Sequence, residues 1–299
     1  MPAACRVGMG HPGGPLGGKM IFDNHVCKLG EGPLWHPQRQ EFLWFDILGR
    51  SLRSRSWVWD FDEYVSAAGW VSHSEILMAT QSGLDLFNLD TGESDRVVDL
   101  EADNPVTRSN DGRADPFGGF WIGTMGIGLE PGAGAIYRYY QGEVRRLFDN
   151  ITVSNAICFA PDGETAYFCD TNTAQIRAVA LEPKAGWPVG EPWVAVDLVA
   201  EKLRPDGCVI DAAGNFWNAQ WGMGRVACYD AKGGFQRAIS VGGMQSSCPA
   251  FGGEDLTQMI VTTAASGLSA EALAAHPDSG KVFAIDPGVK GQAEHRVIL

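Results

Sequence analysis

Four side chains that can offer oxygen recur at one position of this sequence. Eight residues before the turn glycine Gly118 stands Asn110, eight before Gly163 stands Asn155, and eight before Gly214 stands Asp206. A fourth copy near the N-terminus lacks the turn glycine, but Pro37 takes the place of Pro116 and Pro161, and six residues before it is Glu31. Two carboxylates and two amides gathered around one point suit a hard or borderline divalent cation. No thiol or imidazole falls at this register, which excludes a structural zinc site of Cys/His type. Each residue alone has a plainer reading: Asp206-Gly207 as a turn, Asn155 as a loop cap, Glu31 as a loop residue between two glycines. The shared register argues against those readings. Pro161-Asp162-Gly163 already fills a hairpin-turn slot, and Pro205-Asp206-Gly207 lies a full strand earlier in its own unit.

Arg108 stands two residues before Asn110, so in an extended segment both side chains point the same way. A guanidinium and an amide on one side suit a polyhydroxylated or carbonyl-bearing ligand. The competing reading is an ion pair from Arg108 to Asp111 or Asp115, two residues otherwise expected to hydrogen-bond turns. Other chemistries are missing. None of the six histidines stands with an acid and a serine in a nucleophile context, and there is no G-x-S-x-G elbow. No glycine loop links a strand to a helix as a phosphate cradle would.

The elements that must position these residues read as short strands and turns. The runs EFLWFDI, EILMAT, GFWIGTM, TAYFCDT, NFWNAQ and TQMIVTTA each follow a turn, and each is read as preceded by another short apolar run, as in GPLW, AAGWV, AICFA and CVIDA. These are hairpins. They begin roughly 35 to 50 residues apart, the period of a repeat architecture. Outer strands such as LDLFNLD, AIYRYY, IRAVALE and RVACYD bring each unit to about four strands. The expectation is all-β: a six-bladed β-propeller over residues 20–299 with a metal site in its central channel. MIFDNHV at the start, with KVFAIDP or HRVIL at the end, would complete one blade and close the ring. The two remaining blades offer serine at the register: Ser66 or a neighbour in one, Ser246 or Ser247 in the other. A two-sheet sandwich would explain the strands but not the constant register.

A formal net charge of -13 speaks against nucleic-acid or anionic-membrane partners, which want a basic footprint. No run approaches the ~18 apolar residues of a membrane-spanning helix. The seven cysteines are scattered and odd in number, so reduced core thiols in a cytoplasmic protein are expected. Residues 1–19, rich in Gly and Pro and without an apolar core, read as a disordered leader rather than a secretion signal.

The segments LGEGPLW, RSNDGRADPFGGFWIGTM, ITVSNAICFAPDG and RPDGCVIDAAGNFW, in that order, closely resemble the SMP-30/gluconolactonase/regucalcin-like family, as do SSCPAFGG and the terminal VFAIDPGVKG. The resemblance runs from about Ile21 to the C-terminus. It implies a six-bladed propeller that hydrolyses sugar lactones to aldonic acids with one divalent cation in the channel. It places the metal ligands on Glu31, Asn155 and Asp206, the sugar-binding pair on Arg108 and Asn110, and the base on Asp206. Animal members carry acidic residues shortly after GTM. This chain has Gly126-Ile127-Gly128 there, and Glu130, the nearest acid, is the corresponding candidate for substrate binding.

The resulting expectation is a metal-dependent sugar lactonase whose partner is a small sugar lactone. Oxygen ligands do not choose among Ca, Zn, Mn and Fe. Two rivals stand beside it: a propeller that binds a metal or a protein without catalysis, and a propeller that hydrolyses organophosphates or aryl esters.

Overall fold

A computed structural model describes residues 19–299 together with the backbone of Cys5–Arg6. Six antiparallel sheets follow one another along the chain, each built as a meander from the inside out. The inner strands are Gly30–His36, Val65–Trp70, Thr107–Ala114, Ser154–Phe159, Pro205–Ile210 and Gln245–Gly252, and the blades are numbered 1 to 6 in that order. The second strands, Glu41–Asp46, Glu75–Thr80, Phe120–Gly126, Thr165–Asp170, Phe216–Gln220 and Gln258–Ala264, coincide with the six apolar runs read from the sequence. This is a six-bladed β-propeller.

Blade 6 takes its third strand, Val282–Ile285, from the C-terminal part of the chain and its fourth, Met20–Asp23, from the N-terminal part, with Ile21 opposite Phe283. The ring is therefore closed by hydrogen bonds between the two ends of the domain. Of the two C-terminal segments considered for this closure, KVFAIDP supplies the strand and HRVIL does not. The expected leader lies outside the described residues except for Lys19 and Cys5–Arg6, whose backbone adds a fifth strand to blade 1 beside Trp57–Asp60.

The core sits between blades rather than in the channel. Each sheet buries both faces against its neighbours, so its inner strands read as continuous apolar runs instead of alternating ones. Phe120–Gly126 is buried along its whole length, whereas the outermost strand Glu143–Ile151 is mostly exposed. Between blades 1 and 2, Phe45, Leu52 and Trp59 pack on Ile76, Met78 and Phe87. Between blades 3 and 4, Trp121 meets Phe159 edge to face at 5.6 Å. Each such fully buried side chain stabilises the fold by about 1.5–3 kcal/mol relative to exposure. The hairpin turns are capped from their first residue. Asp115 accepts the N–H groups of Phe117 and Gly119, Asp211 those of Ala213 and Asn215, and His36 through Nδ1 that of Arg39.

The last dozen residues cross the end of the channel that carries these turns. Gln292 donates to the carbonyls of Phe159 and Ile210, Glu294 pairs with Arg113, Trp70 Nε1 donates to the Glu294 carbonyl, and Val297 is fully buried. The tail thus ties blades 2 to 5 together, and a small cavity of about 30 Å³ lies against it. The six described cysteines are buried and free. No helix among the described residues is long and apolar enough to cross a membrane.

Candidate active site

All six inner strands break register with their second strands at one height. The breaks fall between Glu31 and Leu34, Val65 and Ala67, Ser109 and Gly112, Asn155 and Cys158, Pro205 and Cys208, and Ser246 and Pro249. A β-bulge swings a side chain out of the ladder. In this ring the swing is toward the channel axis, and Glu31, Asn110, Asn155 and Asp206 together line one pocket of about 340 Å³ with Arg108. The bulges demand small residues behind those that line the pocket. Gly32 has φ +51, and a Cβ there would lie 2.2 Å from the Ser66 carbonyl oxygen, while a Cβ on Gly207 would lie 2.3 Å from Cys248 Sγ. Glu31-Gly and Asp206-Gly are therefore dictated by the close approach of the next blade.

Glu31 and Asp206 are both buried, and neither joins an ion pair with a basic side chain among the described residues. Burial, followed by the charge of nearby Asp111, pushes Glu31 up to about 8. Burial, followed by the charges of Glu31 and Asp111, holds Asp206 well above the usual carboxylate range. Arg108 and Arg204 share the pocket, but neither pairs directly with the two mutually repelling carboxylates, whose raised pKa values are a demand for more positive charge. A divalent ion bound by Glu31, Asn155 and Asp206 fits it, with water completing the shell.

Asn155 is oriented by Thr171, a residue that no motif in the sequence marks. Thr171 Oγ1 donates to the Pro205 carbonyl at 2.7 Å and so must accept from Asn155 Nδ2, 2.9 Å away. With its amide nitrogen held there, Asn155 turns Oδ1 into the pocket, where it also accepts from Asn110 Nδ2 at 3.2 Å. Arg108 donates from one terminal nitrogen to Asn110 Oδ1 and to the Ser109 carbonyl, both at 2.8 Å. Burial lowers its pKa to about 10, which leaves it charged at neutral pH.

The competing ion pair of Arg108 with Asp111 or Asp115 is not formed. Asp115 caps its turn as expected and also pairs with Arg138 at 2.6 Å, both side chains fully buried. Asp111 departs from the expectation of turn bonding. It is buried in the channel wall, accepts the Ile157 N–H at 2.7 Å, and is pushed up to about 6 by burial. It is a third carboxylate close to the first two.

The serines of blades 2 and 6 stitch blades instead of lining the pocket: Ser66 donates to Ser109 Oγ at 2.8 Å, Ser246 to the Arg225 carbonyl and Ser247 to the Gly30 carbonyl. Glu130 is exposed, accepts the Gly128 N–H at 3.0 Å, and is not among the residues lining the pocket. The acid nearest to GTM thus holds its own turn. The rim is formed by residues with no motif to announce them: Leu48, Ile127, Leu129, Arg204 and Trp221. Only the adjacency of Arg204 to Pro205-Asp206 could have drawn attention to it.

A second gathering of ligand atoms, His25, Cys27 and Asp46, lies apart from this pocket, its atoms within 4.8 Å of one another. The Asp46 oxygens already accept the N–H groups of Lys28, Leu29 and Gly49. Asp170 does the same in blade 4 for Thr152, Val153 and Asn172, so this carboxylate is a loop anchor.

Residues 29–265 match the family model described as the SMP-30/gluconolactonase/LRE-like region. Among curated proteins, L-arabinolactonase of Azospirillum brasilense is 33% identical over 94% of this chain and 96% of its own. Human regucalcin is 28% identical over 90% of this chain and 94% of its own. Among solved structures, a calcium-binding protein, regucalcin, from Agrobacterium tumefaciens superposes with a TM-score of 0.91 at 40% identity, covering 95% of this chain and 98% of the other. A propeller whose bulges gather acid and amide oxygens at one mouth, matched over most of its length by this family, has its place settled: the chain belongs to the SMP-30/gluconolactonase/LRE-like family.

Proposed function

We propose that this protein hydrolyses sugar lactones to aldonic acids and depends on one divalent cation held by Glu31, Asn155 and Asp206. The observation that carries the reading is the convergence of these three oxygen donors from blades 1, 4 and 5 in one pocket beside the Arg108–Asn110 pair. Relatives named for lactonase activity, such as the arabinolactonase, support it. When bound, the cation would polarise the lactone carbonyl and offset the negative charge that builds on its oxygen.

The chain's own residues supply the rest. Arg108 and Asn110 hold hydroxyl oxygens of the sugar, orienting the ester toward Asp206. Asp206, ionised when its charge is compensated, accepts a proton from the attacking water as the new bond to the carbonyl carbon forms. As the ring C–O bond breaks, Asp206 returns that proton to the ring oxygen, which leaves as a hydroxyl of the open-chain acid. Water and lactone are thereby consumed in equal amounts, and the carboxylate regains its starting form.

A panel of aldonolactones followed by acid release tests the reading, with protein stripped of metal and then reloaded. Hydrolysis of at least one aldonolactone is expected after reloading, with little in the stripped protein. Equal rates in both forms would remove the cation from the mechanism.

A further inference from the structure

Arg204 is the charged residue of the pocket to which the reaction above assigns no task. It precedes Asp206 by two residues, at the start of blade 5, and lines the mouth beside Trp221, whose backbone N–H donates to the Arg204 carbonyl at 3.0 Å. Its guanidinium is exposed and makes no hydrogen bond or ion pair among the described residues. Other arginines of the propeller differ. Arg108 is tied to Asn110, Arg113 to Glu294, Arg138 to Asp115 and Arg225 to Gln220. A free planar fork of N–H donors on a concave surface is a receptor for carboxylate, sulfonate or phosphate oxygens.

The charge of the pocket points the same way. Its charged lining residues are Glu31, Arg108, Arg204 and Asp206, two negative and two positive. A divalent cation between the two carboxylates leaves two positive charges in excess, in a chain whose formal net charge is -13. A neutral lactone brings no negative charge into this mouth, and its product brings a single carboxylate at the reacting end. The opposite rim, formed by Leu48, Ile127 and Leu129, is apolar and offers nothing to a charged group. An anionic group on the substrate would therefore face Arg204.

Building on the lactonase reading, we propose that the preferred substrates are sugar lactones that carry an anionic group at the chain end remote from the ester, and that Arg204 binds this group. The residue is a determinant of specificity rather than a participant in bond cleavage. With Arg108 fixed near the metal ligands and Arg204 at the mouth, the pocket would hold such a substrate at two separate places, which sets the direction in which its ring is presented.

The test pairs two lactones of the same ring and stereochemistry, one ending in a primary alcohol and the other in a carboxylate. Both are assayed on the metal-loaded full chain, as wild type, Arg204→Gln and Arg204→Lys. The wild type should favour the carboxylated lactone in kcat/KM by about tenfold or more at low ionic strength, the scale of one charge-assisted contact. Arg204→Gln should lose most of that preference through KM, with a several-fold smaller effect on the neutral lactone, and Arg204→Lys should recover part of it. A calorimetric titration with the open-chain dicarboxylate supplies a readout apart from turnover, and its binding should weaken in Arg204→Gln at unchanged metal content. Equal or better hydrolysis of the neutral lactone by wild type overturns this inference alone, as does an equal loss on both lactones in Arg204→Gln. No hydrolysis of either lactone by loaded wild type overturns the lactonase reading and this inference with it.

Discussion

Asn155 illustrates how neighbours aim one side chain for the ligand role proposed for it. A free amide can present either end; the Thr171 hydroxyl, itself committed to the Pro205 carbonyl, takes the nitrogen end, and the Asn110 amide donates to the oxygen left facing the pocket. Partners of this kind govern metal affinity as much as the ligands do. Thr171→Val removes the acceptor while keeping the shape, and metal affinity should fall by about tenfold with little change in fold. Calorimetric metal titration checks this, and unchanged affinity would mean that Asn110 alone suffices to orient the amide. At this scale the sequence was partly legible. Glu31, Asn110, Asn155 and Asp206 were visible because one register repeats them. Thr171, Asp111 and Arg204 were not, because each acts across a blade boundary or at the rim, where spacing along the chain says nothing about distance in space.

At the scale of the element, the strands were legible wherever both faces of a sheet are buried, since burial writes a continuous apolar run into the sequence. The bulges were not, because one extra residue in an inner strand leaves no mark beyond a small residue such as Gly32 or Gly207, which reads equally well as a turn. The serines show the result. They stand at the same register as Glu31, Asn155 and Asp206, yet Ser66 and Ser247 bond across to the next blade, and small hydroxyls too short to reach the axis become stitches. His36 caps its turn where Asp115 and Asp211 cap theirs, but it is buried, and burial lowers its pKa to about 4 from an ordinary 6.5. Above pH 6.5 the ring is neutral in folded and unfolded chains alike, and its contribution is intact. Between 6.5 and 4 the unfolded chain takes up a proton that the folded chain refuses, so stability falls by up to about 1.4 kcal/mol per pH unit. Denaturant unfolding at pH 7 and pH 5 should therefore show a larger loss in wild type than in His36→Asn, which keeps a capping acceptor. Equal losses would place the acid sensitivity elsewhere.

On the scale of the whole molecule, the ring has one open mouth and one covered end. The tail that follows Ile285 was expected as a possible closing strand. It instead crosses the covered end, because blade 6 already has its four strands once Met20–Asp23 has docked. Its energetic centre is the Arg113–Glu294 pair, nearly buried, with Asp111 further up the channel wall as the next negative charge. Glu294→Gln keeps an acceptor but leaves the buried guanidinium without its counter-charge, and a loss of about 3 kcal/mol is expected in unfolding experiments, while metal content stays close to that of wild type. A loss of metal without a loss of stability would contradict this division between the two ends of the channel.

The proposed hydrolysis depends on three blades delivering Glu31, Asn155 and Asp206 to one cation, with Asp206 also handling the proton. The most direct measurement is lactone hydrolysis as a function of added divalent metal in Glu31→Gln and Asp206→Asn, with bound metal determined alongside. Glu31→Gln keeps an oxygen but loses a charge, so its metal occupancy should drop and excess metal should restore much of its rate. Asp206→Asn also keeps an oxygen but cannot accept a proton, so its rate should stay low even when the site is saturated. Full recovery of both variants at saturating metal would reduce Asp206 to a ligand, and wild-type rates in both without added metal would contradict the site altogether.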